Sequence, residues 1–579
     1  MRDVVKWCQN CDVPILGENC ELCGSEGRYC AKDLKPMFDK EIELFEKLLR
    51  VKIPRSSFRY RNRIIMGGKT YLTFRIDPQN EKLILVRGPI DKEEVFATNN
   101  DIIERAIKAN LGLLKEKEAI AIEFIKKVCE GPSLNVVLFG GGKDSALTAI
   151  LAKAALGKVP LLFIDTTLEF PETYNFIERF AETYRFDLLK DENNNFYSAK
   201  NDFFQLCERL GPPSVYCRWC CHIFKEQPVR YFLNSIDKDT KVAFLTGIRR
   251  LESKRRGDFL QVERGKRIAG QTLIQPIIDW KDIEVWLYTF WKRIEINKLY
   301  ELGHARVGCW PCPCAPPLMD FMRRITHPHL WRRFEEVLLK YAKENGRSDE
   351  WVKRGLWRVR RPKRRKSIIQ PTGVEDCGGE LVFKYRLPRS GSLINRLKVV
   401  GDLQVNNRQF EVKLNSINIH GKIEDECVEL QVRCDKKGYI NTKTFMEKLL
   451  SRSLNCIGCG ACISSCPQGA LQATERGVVV VSDKCDRCWN CLKVPCVIED
   501  SERMTSVKMD PFMISPCEKG LAMNHILLPN GELGEVLARR LRAKGIDIEI
   551  HEGGRVLCVS KTFPTWRLER YLMNSLFNE

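Results

Sequence analysis

The chain lacks any run approaching the roughly 18 apolar residues that a membrane-spanning helix needs. Its Met1-Arg2-Asp3 start is not followed by the apolar core of a secretory leader. Both absences predict a soluble, cytoplasmic protein with no membrane partner. Acidic residues are the minority, 75 Asp and Glu against 95 Lys and Arg, a formal excess of 20 positive charges. That balance favours an anionic partner such as a nucleotide or nucleic acid. In a reducing compartment the 26 cysteines are not expected to be disulfides. Most fall into Cys-x-x-Cys groups, so metal or iron–sulfur ligation is the first reading. A chain of 579 residues is too long for one core and predicts about three to five domains.

Also missing is the phosphate loop with four residues between its first Gly and a Gly-Lys-Ser/Thr. What stands instead is a strand-length apolar run over 135–139, then Gly140-Gly141-Gly142-Lys143-Asp144-Ser145, then a helical pattern to about Leu156. Glycines let backbone approach a phosphate, helix-start amides point at it, and Lys143 adds a mobile cation. From about residue 119, strands and helices alternate. A strand over 159–165 ends in Asp165-Thr166-Thr-Leu-Glu169-Phe-Pro-Glu-Thr173, and one over 242–246 ends in Gly247-Ile-Arg249-Arg250-Leu-Glu-Ser253. This reads as a parallel doubly wound sheet, which takes ligands at the carboxyl ends of its strands.

Residues 1–35 hold Cys8-x-x-Cys11 and Cys20-x-x-Cys23. Two such knuckles close a tetrahedral S4 site, a structural zinc ribbon, with rubredoxin-like iron as the alternative metal. Residues 36–118 read as a small α+β domain that opens with an amphipathic helix over 38–49. Its run Arg55-x-x-x-Arg59-x-Arg61-x-Arg63, with Phe58 and Tyr60 between, is either a phosphate clamp with stacking aromatics or a solvated basic face. Residues 331–370 look helical and basic. Arg358 to Lys366 carries seven cations in nine residues, behind Trp351 and Trp357. It is either a solvated linker or a seat for RNA phosphates. Residues 371–445 read as a small β-rich domain. Residues 503–579 read as a small α/β tail with a helix over 531–544 and a strand over 546–550.

The motifs Gly-Gly-Lys-Asp-Ser, Asp165-Thr-x-x-Glu-Phe-Pro-Glu-Thr173, Thr246-Gly-x-Arg-x-x-Glu-Ser253, Pro276-x-x-x-Trp280 and Asn297-x-Leu-Tyr300 occur in that order. Over residues 119–330 they resemble the phosphoadenylyl-sulfate (PAPS) reductase family of the adenine-nucleotide alpha hydrolases, with Gly140 where that group usually has Ser. The resemblance implies a nucleotide pocket made by Gly140, Gly141, Gly142, Lys143, Asp144, Ser145, Asp165, Thr166, Glu169, Gly247, Arg249 and Arg256. Lys143, Asp144, Ser145, Arg249 and Arg250 are its catalytic candidates, and Arg249, Arg250 and Arg256 face the phosphate or sulfate. Guanidinium forks suit such oxyanions. Cys217-Arg-Trp-Cys220-Cys221 with Cys309-Trp-Pro-Cys312-Pro-Cys314 resembles the [4Fe–4S] pattern of adenylyl-sulfate (APS) reductases. That resemblance implies Cys220, Cys221, Cys309 and Cys312 as ligands, with a zinc site as the alternative and Cys217 and Cys314 spare. Over 446–502, Cys456-x-x-Cys459-x-x-Cys462-x-x-x-Cys466-Pro and Cys485-x-x-Cys488-x-x-Cys491 with Cys496 resemble a bacterial ferredoxin with two [4Fe–4S] clusters. In that pattern the fourth Cys of each run serves the other cluster. One cluster then takes Cys456, Cys459, Cys462 and Cys496, and the other Cys485, Cys488, Cys491 and Cys466.

The expected protein is therefore α/β. A central doubly wound nucleotide domain is joined to a zinc ribbon, small α+β and β-rich domains and a ferredoxin domain. Its expected cofactors are three [4Fe–4S] clusters, zinc and an adenine nucleotide (PAPS, APS or ATP). One implied function is sulfonucleotide reduction with electrons from a donor through the ferredoxin domain. The other is ATP-dependent sulfur transfer through an adenylated intermediate, with tRNA as the partner. Two departures bear on the choice. The family's C-terminal Glu-Cys-Gly-x-His has only Glu375-Asp-Cys377-Gly-Gly379 as a counterpart, and Lys143-Asp144-Ser145 is kept where reductases tend to lose it.

Overall fold

The computed structural model describes residues 4–360 apart from 78–80, 91–98, 132, 238, 254–255, 265–267 and 269. It also describes 371–496 apart from 378, 389–390, 415–416, 426, 436–438, 475–476 and 495, and the strands at 514–516, 523–527, 548–551 and 556–560.

Residues of the loop strand Ser133–Leu138 alternate between two cores, as a period-2 strand inside a covered sheet must. Val137 joins Leu161, Ala243, Leu245 and Ile274 under the helices Leu111–Val128, Lys143–Leu156, Pro171–Thr183 and Asp282–Trp291. Val136 joins Leu162, Val242 and Phe244 under Val229 and Phe232 of the helix Gln227–Ser235. The sheet runs Leu161–Leu162, Ser133–Leu138, Lys241–Leu245, Thr272–Ile274, Val262–Arg264. All pairs are parallel except the last, an antiparallel edge that the sequence pattern did not foretell. The expected strand over 159–165 is split. Ile164–Asp165 leaves the main sheet and pairs in parallel with Tyr197–Ser198. The strand order reverses between Ser133–Leu138 and Lys241–Leu245, and the crevice at such a switch point is where open α/β sheets bind ligands.

Expected domain limits at 35/36, 118/119, 330/331 and 445/446 all fall inside elements: the strand Lys35–Pro36 and the helices Leu111–Val128, Pro328–Glu344 and Tyr439–Asn455. Composition shifts where motifs begin, but helices bury apolar stripes across those shifts. The ribbon's three strands share one core with the nucleotide domain, where Trp7 meets Phe58 edge-on at 5.7 Å. The six-stranded antiparallel sheet over 373–435 likewise shares its core with Ile463, Ala470 and Leu492 of the ferredoxin segment. In the tail, a four-stranded antiparallel sheet includes Ile548–His551, while the expected helix over 531–544 lies outside the described residues.

Candidate active site and cysteine centres

The glycine loop is braced from three sides. Gly141 has φ +70°, and a Cβ there would stand 2.8 Å from Thr173 Cγ2. Asn297 Nδ2 donates to Gly141 O (3.3 Å) and Thr173 Oγ1 (3.2 Å), and the Lys143 amide donates to Tyr300 OH (3.0 Å). The Asn297-x-Leu-Tyr300 motif is thus the loop's support. Gly247 abuts the loop from the next strand, where a Cβ would lie 2.5 Å from the Asp144 carbonyl carbon. At Gly140 a Cβ would meet nothing within 4 Å, so this face of the loop is open. Ser145 Oγ donates back to Gly142 O at 2.8 Å.

Lys143 and Arg249, expected on a phosphate or sulfate, are interlocked with two carboxylates in the structure without ligand. Lys143 Nζ stands 2.7 Å from Asp144 and 2.9 Å from Asp282. Arg249 reaches Asp144 through Nε and Asp282 through Nη2, each at 2.6 Å. Burial alone would raise the Asp144 carboxyl, but Arg249 and Lys143 bring it down to about 2. Burial opposes the charge on Lys143, yet Asp144 and Asp282 hold it above the ordinary lysine value. Asp33 accepts the Asp282 and Ile283 amides (2.8 and 3.1 Å) and so caps the helix carrying Asp282. Burial, with Asp282 beside it, pushes Asp33 up to about 6. Arg250 pairs with Asp279 and donates to Phe259 O at 3.0 Å. Arg256 pairs with Glu252, and burial together with exposed Arg306 lowers it to about 10.

The second strand end links nucleotide and cysteine sites. Asp165 Oδ1 accepts from the Thr167 amide and Tyr174 OH, both at 2.7 Å. Thr166 and Glu169, expected at the nucleotide, touch Cys309. Thr166 Oγ1 and Glu169 Oε1 each lie 3.5 Å from its Sγ and 2.9 Å from each other. Cys220 and Cys221 stand on a single turn, Trp219–Cys221, followed by a π-helical turn, His222–Glu226. Such bulges re-aim side chains and are frequent at functional sites. Here the turn presents Lys225 to Cys309, Glu169, Cys221 and Cys312, whose negative charges hold its ammonium above the usual lysine value. A hydrogen bond from Cys220 draws Cys221 down to about 6. One from Cys314 draws Cys312 down to about 5, with Lys225 and Arg306 assisting. The hydrogen bond to Cys221, with burial, raises Cys220, and burial pushes Cys309 up to about 12, so lowered and raised thiols alternate around Lys225.

Four cysteines of the ribbon, Cys8, Cys11, Cys20 and Cys23, bring their sulfurs within 4.8 Å of one another. That spacing suits one tetrahedral ion. No other group among the described residues does so. In the ferredoxin segment the Val478 and Ala470 amides donate to the sulfurs of Cys456 and Cys466, each at 3.3 Å. Amide-to-sulfur bonds of this kind fit cluster thiolates. Cys485 and Cys491 join Cys456, Cys462 and Cys466 in the core under the six-stranded sheet, while Cys459 and Cys496 join a core that also holds Cys220 and Cys309.

Two basic stretches are mixed among the described residues, with Arg59 and Arg360 buried and Arg55 and Arg61 exposed. Phe58 is fully buried, Arg59 is buried on Glu41 (2.8 Å) and Gly303 O (3.1 Å), and Arg55 pairs with Asp39. Arg358 donates to Pro313 O and Ala315 O, on either side of Cys314, and Arg360 to Leu210 O. Residues 361–366 lie outside the described part. Cys377 is exposed on an edge strand of the six-stranded sheet. Sequence reasoning missed Asp282, Lys225 and Arg306. Only Asp282 carried a signal, an acid opening a helix just after the Pro276-x-x-x-Trp280 motif.

A glycine loop at a switch point, with a group of cysteines and a lysine beside it, is the arrangement of a nucleotide-dependent enzyme. The sequence profile of the phosphoadenosine phosphosulfate reductase domain matches residues 134–315, and that of the 4Fe-4S binding domain matches 453–472. Adenosine 5'-phosphosulfate reductase of Halalkalibacterium halodurans is 31% identical over 30% of this chain and 70% of its own length. The chain belongs to the PAPS reductase family, as an enzyme that also carries a 4Fe–4S domain. An uncharacterized protein of Methanocaldococcus jannaschii is 28% identical over 61% of this chain and 96% of its own. A second from that organism is 30% identical over 46% and 60%. Among solved structures, PAPS reductase from Candida auris is 20% identical, covering 38% of this chain and 99% of its own, at TM-score 0.27. The U34-tRNA thiolase NcsA from Methanococcus maripaludis is 15% identical, covering 40% and 80%, at TM-score 0.25. Scores so low add nothing about activity.

Proposed function

We propose that the chain reduces an adenine sulfonucleotide, APS or PAPS, at the crevice between the glycine loop and the Cys309–Cys314 loop. The observation that carries this reading is the 3.5 Å contact of Cys309 Sγ with Thr166 Oγ1, which sets a cysteine centre against the nucleotide strand end. Open Gly140 and the amides after it receive the nucleotide phosphate. Arg256 and Arg306 hold the sulfate by paired guanidinium bonds. Cys220, Cys221, Cys309 and Cys312 would hold a [4Fe–4S] cluster. The ferredoxin cysteines would hold two more, and the ribbon a zinc. When bound, the clusters supply one-electron transfer.

Cys314, outside that ligand set, is the candidate nucleophile; its hydrogen bond to Cys312 and its burial hold it as a thiol at rest. It gives its proton to solvent as the sulfonucleotide binds, and its sulfur attacks the sulfate sulfur. An S–S bond forms, the S–O bond to the phosphate breaks, and AMP (or adenosine bisphosphate from PAPS) leaves with the bonding pair. Two electrons from a reduced donor then cleave the S–S bond, returning the thiolate and releasing sulfite. Anaerobic single turnover with APS and no reductant, followed by peptide mass mapping, should place a sulfonate on the Cys314 peptide. Release of AMP with that peptide unmodified would refute this assignment.

The second reading is ATP-dependent sulfur transfer to tRNA, favoured by the retained Lys143 and Asp144 and their pairing through Arg249 and Asp282. A nucleotide β-phosphate would exchange for the carboxylates on Lys143, and the cations of 361–366 would take RNA phosphates. Binding to tRNA should then fall steeply with salt and exceed binding to heparin. Equal affinity for the two polymers would rule the reading out.

A further inference from the structure

Arg396 is one of the most deeply enclosed side chains in the chain, 2% exposed on the helix Gly391–Leu397. A guanidinium removed from water needs a counter-charge. Among the described residues no carboxylate pairs with it, and its Nε and Nη1 have no hydrogen-bond partner. Its one bond runs from Nη2 to Cys456 Sγ at 3.4 Å. Cys462 is the other group whose charge bears on it most. Both cysteines belong to the same ligand set, and the 4Fe-4S profile covers both. The anionic group those thiolates hold is thus the missing counter-charge, and the orphaned buried nitrogens fit its presence.

We propose that Arg396 is a tuning residue whose enclosed guanidinium, set against Cys456 and Cys462, raises the reduction potential of the cluster that those cysteines hold. Reduction adds one electron and breaks no bond, so it increases negative charge beside a fixed cation where screening is weak. Net charge, hydrogen bonds to sulfur and solvent exposure are the levers on such potentials, and Arg396 acts through all three. The favoured cluster is also the inner one. Ile457, Cys459 and Ala461 of its loop pack with Trp219, Cys220 and Cys309 of the nucleotide domain. A Cβ on Gly460 would stand 2.1 Å from Gln227 Nε2, so the loop lies directly against the helix that follows the cysteine turn. Arg452 is likewise enclosed, but it donates to backbone carbonyls, Cys491 O and Val494 O. The proposal rests on the iron–sulfur assignment and not on the choice of substrate.

The test is an anaerobic redox titration of the full, iron-replete chain followed by electron paramagnetic resonance. Arg396→Gln and Arg396→Met should each lower one ferredoxin midpoint by about 59 mV or more, a tenfold change in a one-electron equilibrium. Arg396→Lys, which keeps the charge, should hold that midpoint close to wild type. Iron content measured on each variant selects those that retain their clusters, and two neutral substitutions guard against failure of one. Unchanged midpoints in an iron-replete neutral variant would overturn the proposal. So would an equal fall in the lysine variant, which would trace the effect to packing.

Discussion

Lys143 is both a ligand candidate and a keystone of the buried charge network. With its side chain 1% exposed between Asp144 and Asp282, its removal leaves two carboxylates short of a partner. Lys143→Ala should destabilise the fold by about 3–5 kcal/mol as well as weaken nucleotide binding, the range for breaking a buried ion pair. Denaturant titration checks the first effect and calorimetry the second. Unchanged stability would mean that the network is solvated. His304 offers a pH test. Its ring donates to or accepts from Thr326 Oγ1 at 2.9 Å, its Nδ1 has no hydrogen-bond partner, and burial, with His327 adding, lowers it from 6.5 to about 3. The unfolded chain takes a proton below about 6.5 that the native chain refuses until about 3. Stability is therefore whole above that window and declines through it, at up to about 1.4 kcal/mol per pH unit. The melting temperature of His304→Gln should fall less steeply between pH 6.5 and pH 4 than that of wild type. Parallel curves would sink the assignment.

At the level of elements, motifs with fixed spacing were legible in the sequence and tertiary neighbours were not. The loop Gly140 to Ser145 and the Cys-x-x-Cys groups announce their chemistry because glycine and cysteine are demanded by backbone approach and metal binding. Lys225, Arg306 and Arg396 stand in ordinary-looking positions. Only the fold brings them to sulfur or to one another. The arginines at 59 and 360 went the other way. A run of cations does not disclose which members are enclosed, and Arg59 and Arg360 are. The π-helical turn His222–Glu226 has no sequence signature, yet it presents Lys225 to the cysteine centre. Gly247 is another such contact. With 2.5 Å between its would-be Cβ and Asp144, Gly247→Ala should displace the loop and cost about 1–3 kcal/mol, as overpacking does. A drop in nucleotide affinity without loss of secondary structure would register it. Wild-type affinity would show that the strand end yields instead.

For the whole molecule, the shared cores matter more than the expected domain limits. The ribbon is continuous with the nucleotide domain, and the ferredoxin loops touch both the six-stranded sheet and the cysteine turn. Metal content should follow the separate ligand sets. Anaerobically prepared protein should contain about twelve irons and one zinc, falling to about eight irons in Cys220→Ala plus Cys309→Ala. Eight in both proteins would leave the nucleotide domain without a cluster. The account stands on that domain's cysteine centre acting on a sulfonucleotide. Its most direct test is anaerobic incubation of the reduced, iron-replete chain with APS, PAPS and ATP in separate reactions. Sulfite should appear in equal amount with AMP from APS, or with adenosine bisphosphate from PAPS, and ATP should remain intact. Pyrophosphate from ATP, with no sulfite from either sulfonucleotide, would contradict it.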